Sequence, residues 1–160
     1  MFRIGFGFDV HQLVEKRSFY LGGIKIPHEK GPLGHSDGDA LIHAVCDALL
    51  GAANLRDIGF HFPDSSKEFK DIDSKLLLKK VISLLTEKGY SVVNIDSTIC
   101  LQKPKISGYI PQMQELLANT MSVNPEVISI KATTTEKLGF IGREEGIAVY
   151  SVALISKEKL

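Results

Sequence analysis

A chain of 160 residues with 44% apolar and 24% charged side chains is long enough to bury a sizeable core and short enough to form one domain, residues 1–160. Nineteen basic residues balance nineteen acidic ones, so no net field draws the chain to nucleic acid or an anionic membrane, and a polymeric polyanion is a poor partner. No apolar run reaches the roughly 18 residues of a membrane span, and the start has no long apolar signal-peptide core, so a cytoplasmic protein is expected.

Residues 2–11, FRIGFGFDVH, alternate well enough for a strand, in which Asp9 and His11 point to one face. SFYLGGIKIP, 18–27, reads as two short extended pieces turning at Gly22 and Gly23, followed by a loop stopped by Pro27 and Pro32. In HSDGDALIHAVCDALLGAA, 35–53, small polar residues run into an apolar helical segment. Ser36, Asp37 and Asp39 can cap, and Ala40, Leu41, Ala44, Val45, Ala48 and Leu49 recur at helical spacing, so a helix is expected to start near Asp37 or Gly38. Asp39, His43 and Asp47 then stand four apart, an imidazole with a carboxylate one turn to either side. The stripe reads either as a frame that orients a metal-ligating imidazole or as a solvated face with one packed histidine.

Asn54 to Ser66, with Gly59, Pro63 and no period, reads as a functional loop. Asp73 and Ser74 can cap a second helix whose Leu77, Leu78, Val81, Ile82, Leu84 and Leu85 form one apolar face, with Gly89 as its stop. Residues 90–101 read as a strand, QKPKISG as a turn, and Ile110 to Met121 as a third helix with Pro111 in its first position. Val127 to Thr133 and Gly146 to Ile155 are the last strands, joined by a polar loop with three glycines. The fold class is an α/β (α+β) sandwich: a small mixed sheet covered on one face by about three helices. The final strand is apolar on both sides, so its second face is expected to pack on copies of the chain in a symmetric oligomer. Cys46 and Cys100 show no CxxC spacing and read as reduced core residues.

Asp9, His11 and His43 together offer one carboxylate oxygen and two imidazole nitrogens, a set suited to zinc or a similar divalent ion with one coordination position left open. The same residues also read as scattered structural histidines. His35 either caps the helix, touches an anion at its N-terminus, or is exposed. KATTTE, 131–136, leaves a strand with three hydroxyls and a carboxylate; the threonines suit phosphate oxygens and Glu136 suits Mg²⁺, while a solvated Thr-rich edge reads equally well. Lys103 and Lys105 flank Pro104 in a turn able to receive a phosphate or a base, or simply exposed. There is no GxxxxGK[ST], no GxGxxG and no legible nucleophile triad. What remains is metal-assisted chemistry on a small phosphorylated molecule.

GFDVH at 7–11, HSDGD at 35–39 with His43 beyond, DIG at 57–59, FPD at 62–64, IPQM at 110–113, and KATTTEKLGF with GREEGIA closely resemble the 2-C-methyl-D-erythritol 2,4-cyclodiphosphate synthases of the non-mevalonate isoprenoid pathway, over nearly the whole chain. The resemblance implies a homotrimer with three active sites between subunits and its sheets turned toward the threefold axis. It implies conversion of 4-diphosphocytidyl-2-C-methyl-D-erythritol 2-phosphate to the cyclic diphosphate and CMP, the substrate's own 2-phosphate attacking the β-phosphorus. By the same resemblance Asp9, His11 and His43 match zinc ligands, and Glu136 matches the ligand of a Mg²⁺ (or Mn²⁺) carried with substrate. His35 and Thr134 match the residues that stabilise the transition state, with Ser36 beside them. Asp57, Ile58 and Gly59, with Phe62, Pro63, Asp64, Ser65 and Ser66, match the part that holds the methylerythritol end. Leu101, Lys105 and Ser107, with Thr133, Thr134 and Thr135, match the cytidine and phosphate pocket, and Phe140 and Arg143 match substrate contacts. Phe8, Arg143 and Glu145 match the lining of an axial cavity that takes isoprenoid diphosphates.

Two positions depart from the pattern: Ser66 stands where relatives often carry a carboxylate, and Phe6 where they are often polar. With no transit peptide before Met1, a bacterial enzyme is expected. Two other functions share these residues. A metal-dependent phosphohydrolase would use the same ligands to activate water, and a non-catalytic oligomer would only bind isoprenoid diphosphates at its axis.

Overall fold

The computed structural model describes residues 1–63, 65 and 72–157. Five strands form the main sheet: β1 (Phe2–Glu15), β4 (Lys30–Pro32), β5 (Tyr90–Cys100), β6 (Ile128–Thr133) and β7 (Gly146–Lys157), in the order β4-β1-β7-β5-β6. All neighbours are antiparallel except β5 and β6. The parallel pair is made possible by a crossover through helix α4 (Ile110–Met121), too long a connection for a hairpin. β2 (Phe19–Leu21) and β3 (Ile24–Ile26) form a separate hairpin, turned at Gly22 and Gly23 as the sequence suggests.

Helices α1 (Ala40–Ala52), α3 (Ser74–Glu87) and α4 lie on one side of the sheet, and the core sits between. Ile95 and Ile99 of β5 and Ile147, Val149, Ala153 and Ile155 of β7 are buried there. α1 lies against β1 so closely that only glycine fits beneath it: a Cβ on Gly5 would come within 1.9 Å of the Ala48 carbonyl oxygen. The other side is bare in the single chain. Phe2, Ile4 and Phe6 are 70%, 72% and 63% exposed, and Phe8, Val10, Tyr150 and Val152 share that face. Among the described residues no helix is long and apolar enough to cross a membrane.

Several boundaries differ from the sequence reading for local reasons. β1 runs on to Glu15 because its end pairs with β4, an edge strand hidden in the sequence by Gly31 and Pro32. α1 starts at Ala40, not at Asp37 or Gly38. Gly38 holds φ +75°, outside the right-handed helix, and the Asp39 carboxylate accepts from Ile42 N–H to cap the first turn. The stretch read as a loop from Asn54 contains a one-turn helix, α2 (Ile58–His61), capped by Asp57. α3 matches its expected span, with Asp73 as cap and Gly89 at φ +74° beyond its end. Before α4 a short 3₁₀ turn makes Tyr109 the cap, so Pro111 is the second helical residue, and Ser122 at φ +57° ends the helix. The three-glycine loop folds a further turn, α5 (Gly139–Gly142). Cys46 is buried, whereas Cys100 is only half-buried and is not a core residue.

Candidate active site

Alternation along β1 sends Asp9 and His11 to the helix side, toward α1, while the close approach at Gly7 brings His43 over them. Asp9 Oδ2 lies 2.9 Å from His11 Nε2 and 3.1 Å from His43 Nδ1, and the two ring nitrogens are 3.3 Å apart. A tetrahedral zinc ion with bonds of about 2.0–2.1 Å sets its ligand atoms roughly 3.3 Å from one another. The observed triangle is one face of such a tetrahedron, drawn in by a few tenths of an ångström, so this donor set fits a divalent metal. The open side looks into a cavity of about 270 Å³ lined also by His35, Ser36, Ile58, Gly59, Phe62 and Leu77.

The charges agree. Burial would raise the Asp9 carboxyl, but hydrogen bonds with His11 and His43 and their charges outweigh it and hold the pKa at about 2. His11 is shifted upward: burial disfavours its charged form, yet the hydrogen bond and charge of Asp9 and the Leu33 carbonyl overcome that. Its Nδ1–H donates to Leu33 O at 2.8 Å, leaving Nε2 as the ligand atom. The cluster therefore favours positive charge at its centre.

Neither Asp39 nor Asp47 orients His43, contrary to the stripe reading. The Asp39 carboxylate is fully buried and accepts from Gly22 N–H, Gly23 N–H and Ile42 N–H, tying the β2–β3 turn to the helix start. Asp47 accepts from Ile58 N–H and so anchors α2. The partners of His43 Nε2 are Ser74 Oγ at 2.9 Å and Ser36 Oγ at 3.1 Å. His35 stands at the cavity wall with its Nε2 buried and, among the described residues, unpartnered, ready for a ligand oxygen. The loop that carries His35 is held by Arg17, whose guanidinium donates to Gly34 O and Ser36 O, both at 2.9 Å.

The remaining expected residues fall into a second region. Leu101, Lys105, Ser107, Thr133 and Thr134 line a hollow of about 170 Å³ at the ends of β5 and β6. Thr135 and Glu136 follow it; Glu136 is exposed, holds φ +52°, and does not belong to the three-ligand cluster. Phe140 belongs to α5, and Arg143 pairs with Glu145 at 3.0 Å on the surface. Asp57 caps α2, and Ser65 is exposed. Asp64 and Ser66 lie outside the described residues, as does that part of the expected 54–66 loop. The two regions share a row of the sheet: Asp9 is opposite Val149, Val149 opposite Ile99, and Ile99 beside Ala132. They stand three strands apart, roughly 14 Å.

Arg17, Asp37 and Ser74 are the site residues that sequence reading missed. Asp37 and Ser74 showed only as helix caps, since a hydroxyl's second partner across 31 residues leaves no local trace, and Arg17 gave no signal.

Residues 2–156 match the YgbB family model. The chain is 63% identical over 155 residues to the 2-C-methyl-D-erythritol 2,4-cyclodiphosphate synthase of Bacteroides fragilis, covering 97% of this chain and 98% of that one. It is 64% identical over 156 residues to the enzyme of the same name from Bacteroides thetaiotaomicron, covering 98% of both. Among solved structures, the bifunctional IspDF of Campylobacter jejuni aligns with a TM-score of 0.95 at 43% identity over 99% of this chain, which spans 43% of that longer protein. The CDP complex of Plasmodium falciparum IspF aligns with a TM-score of 0.86 at 32% identity over 99% of this chain and 97% of that one.

Proposed function

The chain belongs to the YgbB family, that of the 2-C-methyl-D-erythritol 2,4-cyclodiphosphate synthases, and from this premise we propose how its residues carry out the family's reaction. 4-Diphosphocytidyl-2-C-methyl-D-erythritol 2-phosphate is converted to the cyclic diphosphate and CMP. An oxygen of the 2-phosphate forms a bond to the β-phosphorus; the bond from that phosphorus to the bridging oxygen breaks, and its electron pair leaves with CMP. Attacker and leaving group both belong to the substrate, so the protein's task is to position them and offset their charge.

Asp9, His11 and His43 would hold one divalent ion, zinc, and Glu136 a Mg²⁺ or Mn²⁺ that enters with the substrate. Such ions supply positive charge against the developing negative charge on phosphoryl oxygens. His35, whose Nε2 at the cavity wall has no partner among the described residues, donates to a phosphate oxygen, aided by Ser36 and Thr134. Asp57, Ile58 and Gly59, with Phe62, Pro63, Asp64, Ser65 and Ser66, hold the methylerythritol end. The hollow from Leu101 to Ser107, with Lys105 and Thr133 to Thr135, takes the cytidine diphosphate, and Phe140 and Arg143 touch the substrate. The CDP carried by the falciparum relative supports that assignment.

The observation that carries the reading is the triangle of Asp9, His11 and His43 opening onto the His35 cavity. We further propose that the chain is one domain acting as a cytoplasmic homotrimer of bacterial type. Two regions of one chain about three strands apart are too distant for one diphosphate, and assembly through the bare face of β1 and β7 would join each to its complement on a neighbour. Phe8, Arg143 and Glu145 would then line an axial cavity able to take an isoprenoid diphosphate. The test is incubation with the cytidyl substrate and Mg²⁺ followed by ³¹P NMR. Cyclic diphosphate and CMP in equal amounts are expected; inorganic phosphate would mark a hydrolase, and no turnover a binding protein.

A further inference from the structure

The three atoms that meet at the Asp9 cluster are useful to a cation only if all three present lone pairs. For His11 the Leu33 carbonyl ensures this, because it can only accept, so the ring hydrogen sits on Nδ1. For His43 the corresponding group is a hydroxyl, which either donates or accepts. The direction is decided one bond further out. Ser74 Oγ donates its one hydrogen to Asp37 Oδ1. Asp37 acts purely as an acceptor, since its oxygens also receive Ser74 N–H at 3.0 Å and Asp39 N–H at 3.1 Å. With its hydrogen committed there, Ser74 Oγ can only accept from His43 across the 2.9 Å contact, so Nε2 must carry the ring hydrogen. Ser36 Oγ, which already accepts from Gly38 N–H at 3.3 Å, is the lesser partner at 3.1 Å.

We propose that Ser74, its hydrogen held by Asp37, is a positioning residue that fixes the tautomer of His43, so that Nδ1 is always the atom offered to the metal. This rests on the reading of Asp9, His11 and His43 as metal ligands. Ser74 is fully buried at the first position of α3, so its hydroxyl is shielded from water that would otherwise accept or donate without preference.

The test uses the full-length protein with zinc as the probe. Long-range ¹H–¹⁵N correlation on zinc-loaded ¹⁵N-histidine protein reads which His43 nitrogen keeps its hydrogen, and chelator competition reads zinc affinity. With zinc holding Nδ1, which faces Asp9 Oδ2 at 3.1 Å, the parent should show a single Nε2–H form. Ser74→Ala should mix the two tautomers and weaken zinc about 10- to 100-fold, Ser74→Thr should stay within about threefold of the parent, and Asp37→Ala, which leaves the hydroxyl in place without its acceptor, should weaken zinc like Ser74→Ala. A Ser74→Ala protein with lowered thermal stability but one Nε2–H tautomer and parental zinc affinity would overturn the proposal. His43→Ala separates the premise: zinc binding there at parental affinity overturns the ligand reading as well.

Discussion

Gly7 of β1 and Ala44 of α1 meet backbone to backbone: a Cβ on Gly7 would lie 1.9 Å from the Ala44 carbonyl oxygen and 2.7 Å from Ala48 N. Each is close in sequence to a proposed metal ligand, Asp9 on one side and His43 on the other, so this contact sets the distance between those two side chains. Gly7→Ala must push helix and strand apart. It should cost about 3 kcal/mol or more, since backbone cannot rotate away as a side chain can, and should also weaken zinc. Urea unfolding with a zinc titration checks both; an unchanged midpoint refutes the account.

Asp39 has a different task from the one its spacing suggested. Its carboxylate accepts three backbone N–H groups and has no contact with His43. Asp39→Asn turns one of these positions into a donor facing a donor, and should destabilise the fold by about 1–3 kcal/mol. Zinc bound per chain should stay at the parental value. Metal analysis of the purified variant tests this, and loss of metal from a folded protein would restore the reading of Asp39 as part of the frame that orients His43.

Acidity should act on the metal-free cluster within a defined window. The Asp9 carboxyl sits at about 2 against an ordinary 3.8, so its contribution is complete above roughly pH 4 and disappears as pH falls through about 2. His11 is raised from 6.5, so its contribution is complete below about 6.5 and is lost as pH rises through the raised value. The metal-free chain should therefore gain most from the pair between roughly pH 4 and 6.5. Zinc needs His11 unprotonated, so its affinity should rise with pH through that same raised value. Unfolding of chelator-treated protein beside His11→Gln, from pH 4 to 9, measures the first effect. Parallel curves for the two proteins would contradict it.

The bare face predicts a further outcome. Phe6 is 63% exposed amid Phe2, Ile4, Phe8 and Val152. If that face joins subunits, a charge at its centre costs several kcal/mol of association. Phe6→Asp should sediment as a monomer at micromolar concentration with unaltered zinc content and negligible turnover. A trimer retained by this variant would place the interface elsewhere.

Periodicity located the three long helices and most of the sheet, because each long element carries an apolar face that must be buried. It missed what depends on partners distant in sequence: β4, whose Lys30–Pro32 becomes a strand only beside Leu13–Glu15, and the one-turn helices at Ile58 and Gly139, too short to show a period. For the site, Asp9 and His11 were legible as a pair because alternation fixes their common face. His43 was legible as a candidate, but its orienting group was not. Helical spacing named Asp39 and Asp47, which the fold spends on other amides, while Ser74 comes from a different helix. Thr133 and Thr134 read equally well as contacts for phosphate oxygens and as a solvated edge, and their distance from Asp9 emerges only from the strand order β1-β7-β5-β6.

That strand order has a consequence for mixtures of damaged proteins. On the proposed roles, His43→Ala spoils the metal region of a chain and leaves its nucleotide hollow whole; Thr134→Val does the reverse. Neither should turn over alone. If every site borrows one region from each of two neighbours around a ring of three, any ring containing both kinds of chain has one junction where the two sound regions face each other. Random reassembly of equal amounts should then recover about a quarter of parental activity. Two inactive preparations, unfolded together and refolded as one, would complement each other.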